Sequence, residues 1–245
     1  MKKLLIIFVL TTTLVSTAQE SVLLRVNYNQ GDQYEMNMDM TQDMGASGGM
    51  HMNMKMSMDV KNVSDTIFNT EIHFKTVAME MNQAGTKMAY DSEKPNEDLN
   101  QMEKQLKAGF DPLLEATILV KNNHLGKVLE TKFEPNNPAL KDYADQSSGI
   151  VFPKKAVKVG DSWEMIKEKN GIKMKFVYTV KSIDKDTVVL DVSGDISNAA
   201  EGTINGSIEI DRSTGMQQKS TLGMEMKVMG QNVITRIEST IKKAE

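Results

Sequence analysis

The sequence predicts a mainly β protein: a long curved antiparallel sheet or half-barrel, built from two related meander halves and carrying one short helical insert. Three observations lead there. Long stretches alternate apolar and polar residues with a period of two, most plainly MNMDMTQDMGASGGMHMNMKMSMDV at residues 36–60, which holds nine of the 20 methionines. Turn chemistry punctuates them, with Asn170-Gly171, Asp184-Lys185-Asp186 and Gly230-Gln231 each falling between two alternating runs. A short pattern also occurs twice: Gly31-Asp32-Gln33-Tyr34-Glu35-Met36 is echoed by Gly160-Asp161-Ser162-Trp163-Glu164-Met165, each ahead of a long alternating segment.

In chain order, residues 1–18 read as a secretory leader. Lys2 and Lys3 precede an apolar run from Leu4 to Val9, and Ser16 and Ala18 supply a small-residue cleavage site. The run is too short to span a bilayer, which takes about 20 apolar residues. The expected destination is the periplasm or the exterior. A lipid anchor on the mature N-terminus needs a cysteine there, and the chain has none. That also removes disulfides, thiolate metal sites and cysteine nucleophiles. Of 29 basic residues the leader takes two, leaving 27 against 33 acids. Such a mildly acidic, mixed surface offers no electrostatic reason to bind nucleic acid or anionic lipid.

The first half, residues 19–132, reads as strands at 22–28, 32–44, 49–63, 66–82 and 86–90. Several exceed the usual length of about five or six residues, as strands of a strongly coiled sheet do. Within 66–82 the apolar residues fall on even positions (Phe68, Ile72, Phe74) and then on odd ones (Val77, Met79, Met81). That switch predicts a β-bulge near Lys75 or Thr76. A helical insert at 96–116 follows, opening at Pro95-Asn96-Glu97-Asp98 and spaced by Leu99, Met102, Leu106 and Phe110. Ala108-Gly109 should end or bend it, and Asp111-Pro112 should start a second turn. Thr117–Val120 and Lys127–Thr131 then flank a hairpin turn.

Residues 133–152 read as a helical linker, with Asn137 as cap and Pro138 in the first turn. In the second half, residues 153–245, Asn170-Gly171 sets Met165 opposite Phe176 and Trp163 opposite Tyr178. The turn at 184–186 sets Val180 opposite Leu190 and Tyr178 opposite Val192. Further strands are expected at 202–210, 216–229 and 232–242.

The run VFPKKAVKVGDSW, the meander after it and IEIDRSTGM resemble a family of uncharacterised exported proteins common in Bacteroidetes. The resemblance implies fold and compartment and brings no activity. More loosely, the layout is similar to the curved half-barrels of lipoprotein carriers.

The methionine segment reads as a hairpin. Pairing Met40 with Met54, Met38 with Met56, Met36 with Met58 and Tyr34 with Val60 puts every methionine on one face. The other face then carries Asn37, Asp39, Thr41, His51, Asn53, Lys55, Ser57 and Asp59. Three readings follow for that face. It is a filled core face in which Met replaces Val and Ile, as in a scaffold, or a polarizable surface that adapts to an apolar ligand, a lipid or an envelope partner, or a thioether site for Cu(I). The copper reading is weakened because His51 points away from the methionines. The ligand-binding set is Met36, Met38, Met40, Met52, Met54, Met56 and Met58, with Met79, Met81, Met224 and Met226 contributed by other strands. No catalytic residue, metal ligand or cofactor is assigned. The three histidines are scattered, and no nucleophile elbow, zinc motif or phosphate loop occurs. A hydrolase using Asp161 with Glu164, or Asp184 with Asp186, is a remote alternative, since turn and surface roles account for all four. Trp163 and Tyr34 read as core anchors at strand starts.

Overall fold

The computed structural model describes residues 20–83, 85–137, 140, 149–228 and 230–244. The leader and nearly all of the short helix expected after Asn137 lie outside them. Twelve strands form one antiparallel sheet that does not close. In chain order they are β2 (Gln33–Asp43), β3 (Gly48–Ser64), β4 (Ile67–Gln83), β5 (Thr86–Asp91), β6 (Thr117–Asn123) and β7 (Val128–Glu134), then β9 (Ser162–Lys169), β10 (Ile172–Ile183), β11 (Thr187–Asn198), β12 (Glu201–Asp211), β13 (Gln217–Val228) and β14 (Gln231–Lys243). The sheet order is β7-β6-β4-β3-β2-β14-β13-β12-β11-β10-β9, with β5 on the far end of β4. The last strand thus returns to pair with β2. Two short strands, β1 (Ser21–Val22) and β8 (Val157–Lys158), pair with each other apart from the main sheet.

In the second half the registers follow from the alternation together with the turns. Met165 faces Phe176, Trp163 faces Tyr178, and Val180 and Tyr178 face Leu190 and Val192. The expected bulge in β4 falls at Lys75, because Lys55 pairs with Thr76 while the next residue, Met56, pairs with Phe74. A second bulge, at Lys61 of β3, was not expected, although the apolar residues shift there from even positions (Met56, Met58, Val60) to an odd one (Val63).

Three expectations need correction. The methionine hairpin is tighter by two residues: Met36 pairs with Met56, Met38 with Met54, Met40 with Met52 and Tyr34 with Met58. A 3-10 turn at Gly45–Ser47 closes it, the Met44 N–H donating to Gly48 O at 2.9 Å. Alternation fixes only the parity of a register, so a two-residue slide keeps every methionine on its face. The loop decides the rest, and Gly48, at φ +116°, supplies a conformation other residues resist. Residues 23–28 are not a strand. They cross the sheet as a strap whose N–H groups reach loop carbonyls, Val26 to His124 and Asn27 to Thr214.

The third correction concerns the insert. A 3-10 turn at Asn96–Asp98 leads into one helix, α1 (Gln101–Leu114), which passes through Gly109 and Pro112 unbroken. Its true cap is Asn100, whose Oδ1 accepts from the Met102 and Glu103 N–H groups while Glu103 Oε2 accepts from Asn100 N. Pro112 removes one intrahelical hydrogen bond in the last turn, a cost that the packing of its neighbours Phe110 and Leu113 offsets. Leu113 is buried against Ala116, Ile118 and Phe133, and Phe110 stacks on Tyr90 at 5.4 Å and 3°. That stack adds about 1 kcal/mol beyond area burial.

One face of the sheet is apolar along its whole width. Over β10–β13 it is filled: Phe176, Tyr178, Val180, Leu190, Ile204 and Ile208 pack under Val22, Leu24 and Val26 of the strap and under Ile150, Phe152 and Val157. Gly194 and Gly206 lie on that face, where a Cβ would run into Lys175 O or Thr221 O of the neighbouring strand. Backbones that close together mark where the sheet bends inward. Arg25 pins the strap, its guanidinium donating to Pro153 O at 2.8 Å and Lys154 O at 2.6 Å.

Candidate ligand-binding face

The same apolar face continues over β14, β2, β3 and β4 as rows that cross the strands. One row reads Ile237, Met40, Met52, Met79, Tyr90; the next Ser239, Met38, Met54, Val77; the next Ile241, Met36, Met56, Phe74; and the last Lys243, Tyr34, Met58, Ile72. The rows are about 6.6 Å apart along the strands.

Burial along these rows is uneven in an informative way. Met79 is 6% exposed, beside Tyr90 and its stacked helix, and Met58 is 8% exposed, beneath the strap. Between them Met36, Met38, Met40, Met52, Met54 and Met56 are all half-buried. α1 packs on β4 and β5, and the strap packs on the C-terminal core. The methionines of β2 and β3 lie in the interval between, as a strip neither sealed like a core nor scattered on the surface.

Of the other methionines assigned to the face, Met81 joins it in a row with Met50 and Met88. Met224 shares that row but is separated from Met50 by Thr235 and Gln42. Met226 pairs with Gly202 and Val233 and packs against the C-terminal core. It lies away from the strip.

The opposite face of the hairpin is polar. His51 Nε2 meets Asp39 Oδ2 at 2.8 Å, and Asn53 reaches Asp39 and Asn37. The imidazole is therefore engaged on the wrong side to complete a mixed thioether–histidine set. A cleft of 640 Å³ at the hairpin end is lined from both sides, by Asp43, His51, Glu80, Asn82 and Lys87 of the polar face and by Met50, Met81 and Met88 of the apolar one. The carboxylates of the hydrolase alternative each hold other posts. Asp161 accepts the Lys158 N–H at 3.0 Å, Glu164 pairs with Lys175 at 2.7 Å and Asp184 accepts the Ser182 hydroxyl at 3.4 Å, while at Asp186 it is the backbone carbonyl, not the carboxylate, that accepts the Arg212 N–H.

Trp163 stacks on Tyr178 and donates Nε1–H to Val151 O at 3.0 Å. Tyr34 is 3% exposed and donates to Asp32 Oδ2 at 3.3 Å. Both are anchors, as their place at strand starts suggests.

One cluster at the strip's lower end is absent from the sequence reading. Asp32, buried, accepts from Lys243 Nζ at 2.6 Å, from Asn29 N and from the Tyr34 hydroxyl. Burial on its own would raise the Asp32 pKa. The lysine and the two further donors outweigh it and hold the carboxyl below its ordinary value, so it stays ionised and serves as a pin. Burial likewise pushes the Tyr28 and Tyr34 hydroxyls up. The only local signal for this cluster was Gly31-Asp32; its partner lies at the far end of the chain.

An open antiparallel sheet with one filled and one half-open apolar sector defines the architecture, and its fold has a counterpart among solved structures. Residues 131–235 match the model of a family of unknown function (DUF6263). No curated protein matches the sequence. Among solved structures, one described as lipid-protein interactions in lipovitellin has a similar fold, with TM-score 0.57 and 9% identity over 89% of this chain and 26% of that one. This chain therefore spans about a quarter of that protein's length. The crystal structure of Rv2717c from M. tuberculosis aligns over 88% of this chain and 93% of its own, at 10% identity and TM-score 0.28, too low to bear on the fold. Among the described residues no helix is long and apolar enough to cross a membrane.

Proposed function

We propose that the protein is an exported, non-catalytic binding protein that holds a hydrocarbon-chain ligand on the methionine strip. The observation that carries this is the contiguous row of half-buried methionines on β2 and β3, backed by a polar opposite face. A filled core would use branched side chains with fixed rotamers. Unbranched thioethers adapt to an apolar partner of irregular shape. The strip is about 20 Å long between the Met40 and Tyr34 rows, which suits an extended chain better than a compact molecule. The likeness to a protein studied for its lipid interactions points the same way.

Native mass spectrometry of protein purified from its own host tests the reading. A co-purifying lipid or fatty acyl species is expected, lost in a variant carrying Met38→Glu and Met54→Glu. Ligand-free protein that also fails to bind an acyl probe would overturn it.

A further inference from the structure

Below the strip, the strap and residues 149–152 close over the sheet and leave a cavity of 160 Å³. Met58, Ile72 and Ile241 line it, and Met36 and Met56 lie on the Ile241 row, so the cavity continues the strip. Its remaining walls are mostly apolar, with Thr70, Asn122 and Gln217 the polar exceptions. An apolar cavity of about 150 Å³ takes a benzene-sized apolar group in preference to water.

On the other side, Met216 and Ile241 separate this cavity from a cleft of 460 Å³. The cleft is a gap in the sheet. Pairing of β13 with β14 stops at Lys219 and Thr240, whereas β14 continues to Lys243 against β2. The Met216 backbone is fixed, its N–H donating to Thr214 Oγ1 at 3.2 Å and its carbonyl accepting from Asp211 N at 2.8 Å, and its side chain is buried with one weak polar contact, from the Tyr28 hydroxyl to its sulfur at 3.8 Å. An unbranched thioether on a fixed backbone can change rotamer without moving the strand.

The rim of the gap is charged. Asp211 is occupied by its own turn, accepting from Ser213, Thr214 and Gln218, and Lys243 is occupied by Asp32. Lys219 and Lys242 form no ion pair with a described residue, although Glu209 lies directly opposite Lys219 and Glu35 directly opposite Lys242 on the neighbouring strands, and Glu209 is the one other unpaired charge in the lining.

We infer that the ligand is an anionic amphiphile. Its head group is held at the gap between β13 and β14 by Lys242 and Lys219, and its chain passes between Met216 and Ile241 into the cavity and on to the methionine strip. This rests on the reading of the strip as a hydrocarbon site and adds the charge of the ligand, its direction and its way in.

Two probes with the same tail and opposite charge, dodecanoate and dodecyltrimethylammonium, separate the claims. Dodecanoate is expected to bind the full chain about fivefold more tightly, the upper end of what one exposed ion pair supplies. The double variant Lys219→Glu, Lys242→Glu, both at the surface, is expected to reverse the preference. Met216→Trp is expected to weaken both probes. Equal affinity for the two probes, or a preference that survives the double variant, overturns the head-group assignment and leaves the strip reading standing. If neither probe binds, both fall.

Discussion

Asp32 and Asp161 make the same corner at two places in the chain. Each carboxylate accepts the backbone N–H of the residue three before it, Asn29 at 2.9 Å and Lys158 at 3.0 Å. Gly31 and Gly160 precede them at φ +88° and +89° and donate to Val60 O and Val180 O. Val60 and Val180 donate back to the carbonyls of Asp32 and Asp161. Their surroundings differ, since only Asp32 is buried and tied to Lys243 and Tyr34. Asp32→Asn is therefore expected to cost about 2 kcal/mol, and Asp161→Asn no more than about 1 kcal/mol, in urea unfolding followed by circular dichroism. Equal costs would show that the Lys243 and Tyr34 contacts contribute nothing.

The same pin predicts a response to acid. The folded pKa of Asp32 lies below that of the unfolded chain, about 3.9, so its contribution is complete above that pH. It is lost as pH falls from there through the folded value. Asp211 behaves alike: burial raises its pKa, but donors from Ser213 and Thr214 outweigh this and lower it. The stability gap between wild type and Asp32→Asn should be constant from pH 7 to 5 and shrink below about pH 4. A gap that stays constant to pH 2 would remove Asp32 from the acid response.

The fold was legible where side chains repeat their preference many times. Parity alone placed the bulge near Lys75, and Asn170-Gly171 together with the turn at 184–186 set three strands of the second half. What could not be read were features set by single close contacts or by distant partners. The two-residue slide of the methionine hairpin depends on the turn at Gly45–Ser47, and alternation is blind to it. The strap of residues 23–28 looks like a strand because it is apolar, yet its partners are loop carbonyls. α1 continues past Gly109 and Pro112 because Phe110 and Leu113 have tertiary partners that propensity does not see. Of the candidate site, the shared face of the methionines from 36 to 58 was legible; their cross-strand partners, the separation of Met224 and Met226 from them, and the Asp32–Lys243 pair, spanning nearly the whole chain, were not.

The hairpin loop carries its own test. A Cβ on Gly48 would drive into the backbone carbonyl of Asn82, whereas one on Gly45 meets nothing within 4 Å. Both residues have positive φ, so each alanine is strained, by about 1 kcal/mol at Gly45. Gly48→Ala should cost at least about 2 kcal/mol more, and hydrogen exchange should show the β2–β3 end opening first.

Truncation distinguishes the open part of the apolar face from the sealed part. Met58→Ala, beneath the strap, should cost about 3 kcal/mol, within the range for buried methionine. Met38→Ala, in the middle of the strip, should cost about 1 kcal/mol or less because little is left to collapse around it. Comparable large losses at both positions would mean that the strip is core.

The claim that a hydrocarbon chain lies along this strip is tested most directly by nuclear magnetic resonance of methionine methyl groups labelled with carbon-13, titrated with dodecanoate. The methyl signals of Met36, Met38, Met40, Met52, Met54 and Met56 should shift together and saturate at one equivalent, while Met102, exposed on α1, stays in place. Saturation of the probe with no movement of those six signals, or movement of Met102 alone, would contradict it.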